Sequence, residues 1–284
     1  MIVSVFPNLL NKGVKELSFS VFSELKKHNI NVIVSEKYKS AFGNIVGYCD
    51  DLSIYSKCDI AIAIGGDGTT LNVAKNAAVY NKLVLGINAG RLGFMSGLEK
   101  NELNLLSKLV DGSYEIDERL MLKAEVINGD KVIYSSECLN DAVISRGNFA
   151  RLIDIDISCD GRKVMNTRAD GVIISTPTGS TAYSMAAGGP VVSPNADCII
   201  ATPICPHSLM ARSIIFSTDN ELIISISNDQ NNNSVLTVDG QAGFDLCEGN
   251  IVKLTSSTTV TKLIKLKPEN FYEILNKKLI ERRV

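Results

Sequence analysis

The chain has 284 residues, of which 45% are hydrophobic and 21% are charged, and its formal net charge is −2. This length and composition suit two compact folded domains and exclude extensive disorder. The near-neutral charge gives no electrostatic reason to expect a nucleic acid or an anionic membrane as a partner.

The seven cysteines are scattered, and no two of them form a C-x-x-C pair. Neither a disulfide framework nor a zinc site is therefore predicted, and we expect no metal held by the protein alone. The first residues lack the basic flank of a signal peptide, and no apolar run reaches transmembrane length. We expect a cytoplasmic protein.

The first part of the sequence alternates between strand and helix patterns. Short apolar strands separated by amphipathic helices predict a parallel sheet that is covered on both faces. Ligands of such sheets bind beyond the carboxyl ends of the strands. The predicted elements are a strand from Ile2 to Phe6, a helix from Val14 to Leu25, a strand from Asn31 to Val34, a strand at Ile60, a helix carrying Leu71 to Ala78 and a strand from Leu83 to Ile87.

The turn that follows the strand at Ile60 is the most informative part of the sequence. It reads Gly65-Gly66-Asp67-Gly68-Thr69-Thr70. Glycines allow backbone N–H groups to approach a phosphate closely. The carboxylate of Asp67 repels phosphate, so it is better suited to accept a proton from an attacking hydroxyl or to serve a metal ion. The structural alternative is that Asp67 or Thr69 only caps the following helix.

From about Arg119 the pattern changes to strands and turns. Residues Ile153 to Ser158 alternate strictly between apolar and polar, which predicts a strand with one buried face. We predict an α/β nucleotide-binding domain at residues 1–117 and a β-rich domain at residues 118–265, with residues 266–284 packing back on the first domain. This last segment is predicted to form a helix opened by Pro268, with apolar positions at Phe271, Ile274, Leu275 and Leu279.

Three further blocks follow in a fixed order. They are Asn140-Asp141-Ala142-Val143-Ile144, then Arg168-Ala169-Asp170-Gly171, then the run from Ser175 to Ser184, STPTGSTAYS. Supporting stretches are Leu92-Gly93-Phe94, Gly188-Gly189-Pro190 and Asp239-Gly240-Gln241. Together with the glycine turn, these blocks resemble the NAD kinase family over nearly the whole chain. The glycine turn alone also occurs in phosphofructokinases and lipid kinases, whereas the run from Ser175 to Ser184 is specific to far fewer families.

The resemblance implies an ATP- or polyphosphate-dependent NAD kinase. Such an enzyme transfers the γ-phosphoryl group of ATP to the 2'-hydroxyl of the adenosine ribose of NAD and forms NADP. Asp67 would be the catalytic residue, and Mg²⁺ or another divalent cation would accompany ATP. A homo-oligomer, either a dimer or a tetramer, is also implied. A non-catalytic NAD-sensing module and a lipid or sugar kinase with the same turn are the alternatives.

The resemblance also implies which residues contact the nucleotides. Gly68 would approach the nucleotide, while Asn140 and Asp141 would hold ribose hydroxyls and the adenine edge, as a side-chain amide beside a carboxylate can. Tyr183 would offer a ring face for stacking. The remaining implied contacts are Arg151, Arg168, Asp170, Thr181, Ala182, Ser184, Ala186 and Gln241. A turn pair at Asn140-Asp141 and a surface ion pair at Arg168 are the structural alternatives.

Overall fold

A computed structural model describes residues 1–90, 93–147, 151–208, 210–227, 234–268 and 270–281. The chain divides into two compact units. Unit 1 comprises Met1–Glu118 and Val260–Val284, and unit 2 comprises Arg119–Thr259. Unit 1 is α/β and unit 2 is rich in strands, so the predicted fold class is confirmed.

The first stretch of unit 1 alternates strands and helices as the sequence predicts. In chain order its elements are β1 (Ile2–Pro7), α1 (Val14–Lys27), β2 (Asn31–Ser35), α2 (Lys39–Phe42), β3 (Gly47–Cys49), β4 (Ile60–Gly65), α3 (Asp67–Val79), β5 (Leu83–Asn88), β6 (Leu98–Glu99) and α4 (Lys108–Asp111).

Parallel pairing gives the strand order β3-β2-β1-β4-β5. All six residues of β4 are buried, because a parallel sheet of this kind is covered on both faces. From β1 the chain proceeds to β2 on one side, whereas β4 lies on the other side. The carboxyl ends of β1 and β4 therefore flank a topological switch point, which is where open α/β sheets bind ligands.

Several short elements of unit 1 are absent from the sequence prediction, namely α2, β3, β6 and α4. No element is predicted between β2 and β4, but this segment contains α2 and β3. Each has only three or four residues, which is too short for a helical or alternating pattern to emerge. Phe42 in α2 is nevertheless buried in the core of unit 1, together with Phe22 of α1.

Unit 2 is built almost entirely from strands. They are β7 (Glu115–Asn128), β8 (Lys131–Cys138), β9 (Asp141–Arg146), β10 (Ile153–Cys159), β11 (Arg162–Ala169), β12 (Gly171–Ser175), β13 (Cys198–Ile204), β14 (Ile214–Ser217), β15 (Leu222–Ser227), β16 (Ser234–Val238), β17 (Phe244–Leu246) and β18 (Asn250–Lys265). A short helix, α5 (Tyr183–Ala186), follows β12. By the unit boundaries, β7 begins in unit 1 and β18 ends there.

Antiparallel pairing organises unit 2. One sheet has the order β14-β13-β12-β9-β16-β17, and β10 pairs with both β11 and β15. The predicted alternation in β10 is confirmed, because Ile153, Ile155 and Ile157 are buried while Asp154 is exposed. These isoleucines belong to the hydrophobic core of unit 2.

The last helix, α6 (Phe271–Glu281), belongs to unit 1 but starts later than predicted. Asn270 caps it, because its side-chain oxygen accepts from the N–H of Tyr272 at 3.0 Å. Asparagine is among the best N-cap residues, so it starts the helix two residues beyond Pro268. The prediction that Pro268 opens the helix is therefore wrong. The side chain of Leu279 lies outside the described residues.

The cysteines of the chain are free thiols, and Cys49, Cys58, Cys138 and Cys198 are buried. Within the described ranges, no group of three or more His, Cys, Asp or Glu side chains is arranged to hold a metal ion. In the same ranges, no helix is long and apolar enough to cross a membrane.

Candidate active site

Asp67 is the first residue of α3, directly after the carboxyl end of β4. Gly66 stands at the cap position in an extended conformation, and neither Asp67 nor Thr69 supplies a side-chain cap. A Cβ on Gly65 would lie 2.3 Å from Oγ1 of Thr69, so the turn requires glycine there. The structural alternative that Asp67 or Thr69 merely caps the helix is therefore not found.

The Asp67 carboxylate is held by neighbouring donors in unit 1. Oδ2 accepts from the N–H of Phe94 at 3.0 Å, and Oδ1 accepts from the N–H of Met95 at 3.1 Å. Oδ2 also accepts from Nζ of Lys278 at 3.1 Å. The side chain of Asp67 remains 35% exposed. An ionised carboxylate has about four acceptor directions, and among the bonds of the described residues Oδ1 has one partner while Oδ2 has two.

Gly93 makes room for this arrangement. A Cβ at Gly93 would lie 2.4 Å from Oδ1 of Asp67 and 2.4 Å from Oγ of Ser96. Only glycine therefore lets the chain pass close enough for the N–H groups of Phe94 and Met95 to reach the carboxylate. This gives a physical reason for the glycine in the Leu92-Gly93-Phe94 stretch, of which Leu92 lies outside the described residues.

A cavity of about 770 Å³ opens at the switch point of the unit 1 sheet. Its size is within the usual range for sites of small molecules and cofactors. Phe6 and Tyr55 stack with ring centroids 4.6 Å apart in its wall, and Lys37 supplies a cation. The lining residues are Phe6, Pro7, Asn8, Leu9, Leu10, Lys37, Tyr38, Asp51, Tyr55, Gly68, Thr69, Asn72, Val73 and Asn76.

In unit 2, the Asn140-Asp141 pair is fixed by the carboxylate of Asp239. The Asp239 side chain accepts from the N–H groups of Leu139, Asn140 and Asp141, at 3.1, 2.8 and 3.2 Å. The N–H of Asp239 donates back to the carbonyl of Asp141 at 2.9 Å. Asp239 therefore holds the backbone of residues 139–141 both by accepting hydrogen bonds with its side chain and by donating one with its N–H.

A second turn of unit 2 packs against the same segment. Oγ1 of Thr176 donates to the carbonyl of Leu139 at 2.6 Å and accepts from the N–H of Gly179 at 3.0 Å. A Cβ at Gly179 would lie 2.0 Å from the carbonyl oxygen of Asn140. The run STPTGSTAYS thus contains a close backbone contact to the Asn140-Asp141 pair, which only glycine at position 179 permits.

Asp141 is 5% exposed, and its environment disfavours the charged form. Burial, and next to it the negative charge of Asp239, raises the pKa of Asp141 from its ordinary value to about 7. Near neutral pH a large fraction of Asp141 is therefore protonated. A protonated carboxyl can donate a hydrogen bond as well as accept one.

This shift predicts a pH-dependent stability. Because the pKa of Asp141 is higher in the folded chain than in the unfolded chain, its contribution is lost as pH rises toward 7. Between pH 5 and pH 8 we expect the free energy of unfolding to fall by about 2.5 kcal/mol from this group. Asp141→Asn should remove that part of the pH dependence, as measured by urea unfolding of both proteins. Equal pH dependence in the two proteins would contradict it.

The predicted residues from Thr181 to Ala186 lie close together on the short turn and helix after β12. Thr181 and Ala182 are half-buried, Tyr183 is 47% exposed, and Ala186 is exposed. The open ring of Tyr183 is available for stacking. Ser184 differs from its neighbours, because it is fully buried and its Oγ lies 3.1 Å from Oγ1 of Thr202.

Arg168 and Asp170 form separate contacts, of which the one at Arg168 is on the surface and the one at Asp170 is partly buried. The exposed side chain of Arg168 has its Nε 3.9 Å from Oδ1 of Asp154, whereas Oδ1 of Asp170 accepts from Nε of Arg146 at 2.6 Å. The pair at Arg168 is the surface ion pair considered as the structural alternative.

Arg151 and Gln241 are the last two residues predicted to contact the nucleotides. Arg151 is exposed on the segment before β10. Gln241 is exposed in the turn after β16, two residues after Asp239. Asp67 and Gly68 therefore lie in unit 1, and the other predicted site residues lie in unit 2. Sequence reasoning missed Lys278 and the bonding role of Asp239.

Two family models match the chain. The ATP-NAD kinase N-terminal domain matches residues 3–114, and the ATP-NAD kinase C-terminal domain matches residues 139–266. The NAD kinase of Thermoanaerobacter sp. (strain X514) is 41% identical over 281 residues, with 99% of both chains covered. The NAD kinase of Moorella thermoacetica is 36% identical over 284 residues, which cover 98% of this chain and 89% of that protein.

Solved structures of similar fold agree with these matches. Yeast NADH kinase complexed with NADH has a TM-score of 0.89 and 27% identity, covering 98% of this chain and 87% of that chain. An NAD kinase from Archaeoglobus fulgidus in complex with ATP has a TM-score of 0.75 and 23% identity, covering 98% of both chains. At that identity the second likeness concerns the fold alone.

Proposed function

Because the chain belongs to the NAD kinase family, we propose here how its residues carry out the family's reaction. The chain is a phosphotransferase that phosphorylates NAD with ATP at the 2'-hydroxyl of the adenosine ribose, forming NADP and ADP. The observation that carries the proposed arrangement is the Asp67 carboxylate. It is partly exposed, it is held by three donors, and it directly precedes Gly68, which lines a cavity of ligand size.

Asp67 is the proposed catalytic residue. Its free acceptor direction on Oδ1 would bind the 2'-hydroxyl, orient it toward the γ-phosphorus and take its proton as the transfer proceeds. An ordinary carboxylate is too weak a base to ionise an alcohol beforehand. Phosphoryl transfer has a loose transition state, so prior ionisation is not required. The role of Asp67 is thus mainly one of orientation, followed by late proton acceptance.

The cavity at the switch point of unit 1 is the proposed ATP site. Gly68 and Thr69 bring the first turn of α3 to its wall, where N–H groups and the helix dipole favour a phosphate. The ring of Tyr38 and side-chain amides supply partners for an adenine nucleotide, and Nζ of Lys37, which lies 3.3 Å from Oδ2 of Asp51, stands in the same wall.

Mg²⁺ would accompany the triphosphate. In the described ranges no cluster of three acidic side chains is present, which fits an ion held largely by phosphate oxygens and water. The bound ion would neutralise the charge that develops on the phosphates. The protein's own part is to hold the donor and the acceptor hydroxyl in line.

A substitution in the wall of this cavity tests the proposed ATP site independently of the proposed NAD site. Asn72 is exposed in the cavity wall, and its oxygens accept from Nδ2 of Asn76 at 2.8 Å. Asn72→Leu keeps the size and loses the polar group, so we expect KM for ATP to rise about tenfold. KM for NAD should stay within about twofold of wild type in steady-state assays. Asn104→Leu, an exposed position outside the cavity, is the control, and an unchanged KM for ATP in Asn72→Leu would contradict the assignment.

In unit 2, Asn140 and Asp141 are the proposed partners of the NAD ribose and adenine, and Tyr183 is the proposed stacking surface. The support is the fixed backbone of this pair, held by Asp239 and packed against Gly179. Gly68, Thr181, Ala182 and Ala186 are proposed neighbours of the nucleotides. Arg151, Arg168, Asp170, Ser184 and Gln241 stay proposals that rest on the resemblance alone.

We also propose a homo-oligomer in the cytoplasm. The free cysteines support a reducing compartment, since oxidising compartments favour disulfides. The oligomer rests on the usual behaviour of the family. Light scattering coupled to size exclusion gives the subunit number, and a monomer at assay concentration contradicts the proposal.

The function is tested by offering ATP with a panel of acceptors. NAD, NADH, diacylglycerol and fructose 6-phosphate are compared under the same conditions, and ATP is compared with polyphosphate as the donor. NADP formation from NAD, with no lipid or sugar phosphate formed, is the expected result. Tight NAD binding without NADP formation would instead support a sensing module.

A further inference from the structure

The C-terminal helix α6 carries a cation that contacts the carboxylate of Asp67. Nζ of Lys278 lies 3.1 Å from Oδ2 of Asp67, although 211 residues separate the two in sequence. The Lys278 side chain is only 17% exposed, so bulk water and salt screen the pair less than a surface pair. A lysine that is fully exposed on a helix surface is hydrated by water and needs no carboxylate partner, whereas Lys278 is largely buried beside one.

Aromatic contacts fix the position of this lysine. Nζ of Lys278 lies 3.9 Å from the ring centroid of Phe94, which is close for a cation–π contact. The ring of Phe271, at the start of α6, lies 6.2 Å from the same ring. The N–H of Phe94 donates to Oδ2 of Asp67. Asp67, Phe94 and Lys278 thus form one connected cluster within unit 1, which we call the Asp67 cluster.

We propose that Lys278 is a positioning residue of the phosphoryl transfer, which holds Oδ2 of Asp67 so that Oδ1 faces the acceptor hydroxyl. The inference rests on the proposed catalytic role of Asp67. Among the bonds of the described residues, Oδ2 is occupied by Phe94 and Lys278, whereas Oδ1 has one partner. Loss of the lysine opens a competing acceptor direction on Oδ2 and lets the carboxylate rotate. Misplacement of this kind lowers the rate of the chemical step more than substrate affinity.

The test replaces the lysine and separates kcat from KM. Lys278→Met keeps the aliphatic stem and removes the charge, and we expect kcat to fall about tenfold with both KM values within about twofold. Lys278→Arg should restore most of kcat. Lys277→Met is the matched control on the exposed side of α6 and should match wild type. Thermal melting shows whether each variant folds, and Lys278→Gln replaces the methionine variant if that one does not.

A double-mutant cycle shows whether Lys278 acts through Asp67. Lys278→Met should cost about tenfold in the wild-type background and less than about twofold in the Asp67→Asn background. Equal losses in both backgrounds, or an unchanged kcat in Lys278→Met, overturn the inference. If Asp67→Asn alone abolishes turnover while Lys278→Met does nothing, only the inference fails. If Asp67→Asn itself turns over normally, the proposed catalytic role fails as well.

Discussion

Asp67→Asn is expected to lower kcat by about 10² to 10⁴, the usual cost of removing a general base. The asparagine side chain has the same shape, but its amide group cannot take a proton from the 2'-hydroxyl. One amide oxygen can still accept from the N–H groups of Phe94 or Met95. The fold and the loop at Gly93 should therefore be preserved. The rate of NADP formation with saturating ATP and NAD measures the effect.

The control for this variant is substrate binding. Calorimetric titration should give a Kd for NAD within about threefold of wild type, because the proposed partners Asn140 and Asp141 are unchanged. A variant that turns over normally removes Asp67 from the mechanism. A variant that loses NAD binding as well as turnover indicates that the carboxylate supports the site's structure rather than the chemical step.

Gly179→Ala is expected to lower activity nearly as much as Asp67→Asn does, but through a steric clash and not through the loss of a proton acceptor. The added Cβ would lie 2.0 Å from the carbonyl oxygen and 2.5 Å from the carbonyl carbon of Asn140. Both partners are backbone atoms, so the Asn140-Asp141 segment has to move rather than a flexible side chain. Displacement by about 1 Å can cost about 10² in rate, and overpacking costs about 1–3 kcal/mol of stability. We expect kcat/KM for NAD to fall about 10²-fold.

The control substitution is Gly90→Ala, where a Cβ would meet no atom within 4 Å. Kinetics of both variants should be measured beside urea unfolding, so that activity per folded molecule is known. Near-normal KM for NAD in Gly179→Ala would show that the close contact between the two turns is not needed for binding.

The elements that position the candidate site were predictable because their patterns are local. A six-residue apolar strand followed by glycines identifies β4 and its turn, and helical spacing identifies α3. The three- and four-residue elements β3 and α2 leave no such pattern. The sequence predicts too early a start for α6, because proline is typical of the first helical position whereas the cap is Asn270.

The partners of the site residues were not predictable, because they are distant in sequence. Lys278 is separated from Asp67 by 211 residues, and Asp239 is 99 residues from Asn140. Each is unremarkable locally, since Asp239 stands in an Asp-Gly turn and Lys278 in the basic end of a helix. Only the fold brings these charges to the backbone and carboxylate that they hold.

The proposed reaction is tested most directly by following the phosphoryl group itself. The protein is incubated with ATP labelled in its γ-phosphate and either NAD or its analogue lacking the 2'-hydroxyl on the adenosine ribose. We expect labelled NADP carrying the label at the 2' position, and no labelled dinucleotide from the analogue. Label transferred to the 2'-deoxy analogue, or no labelled dinucleotide from NAD, would contradict it.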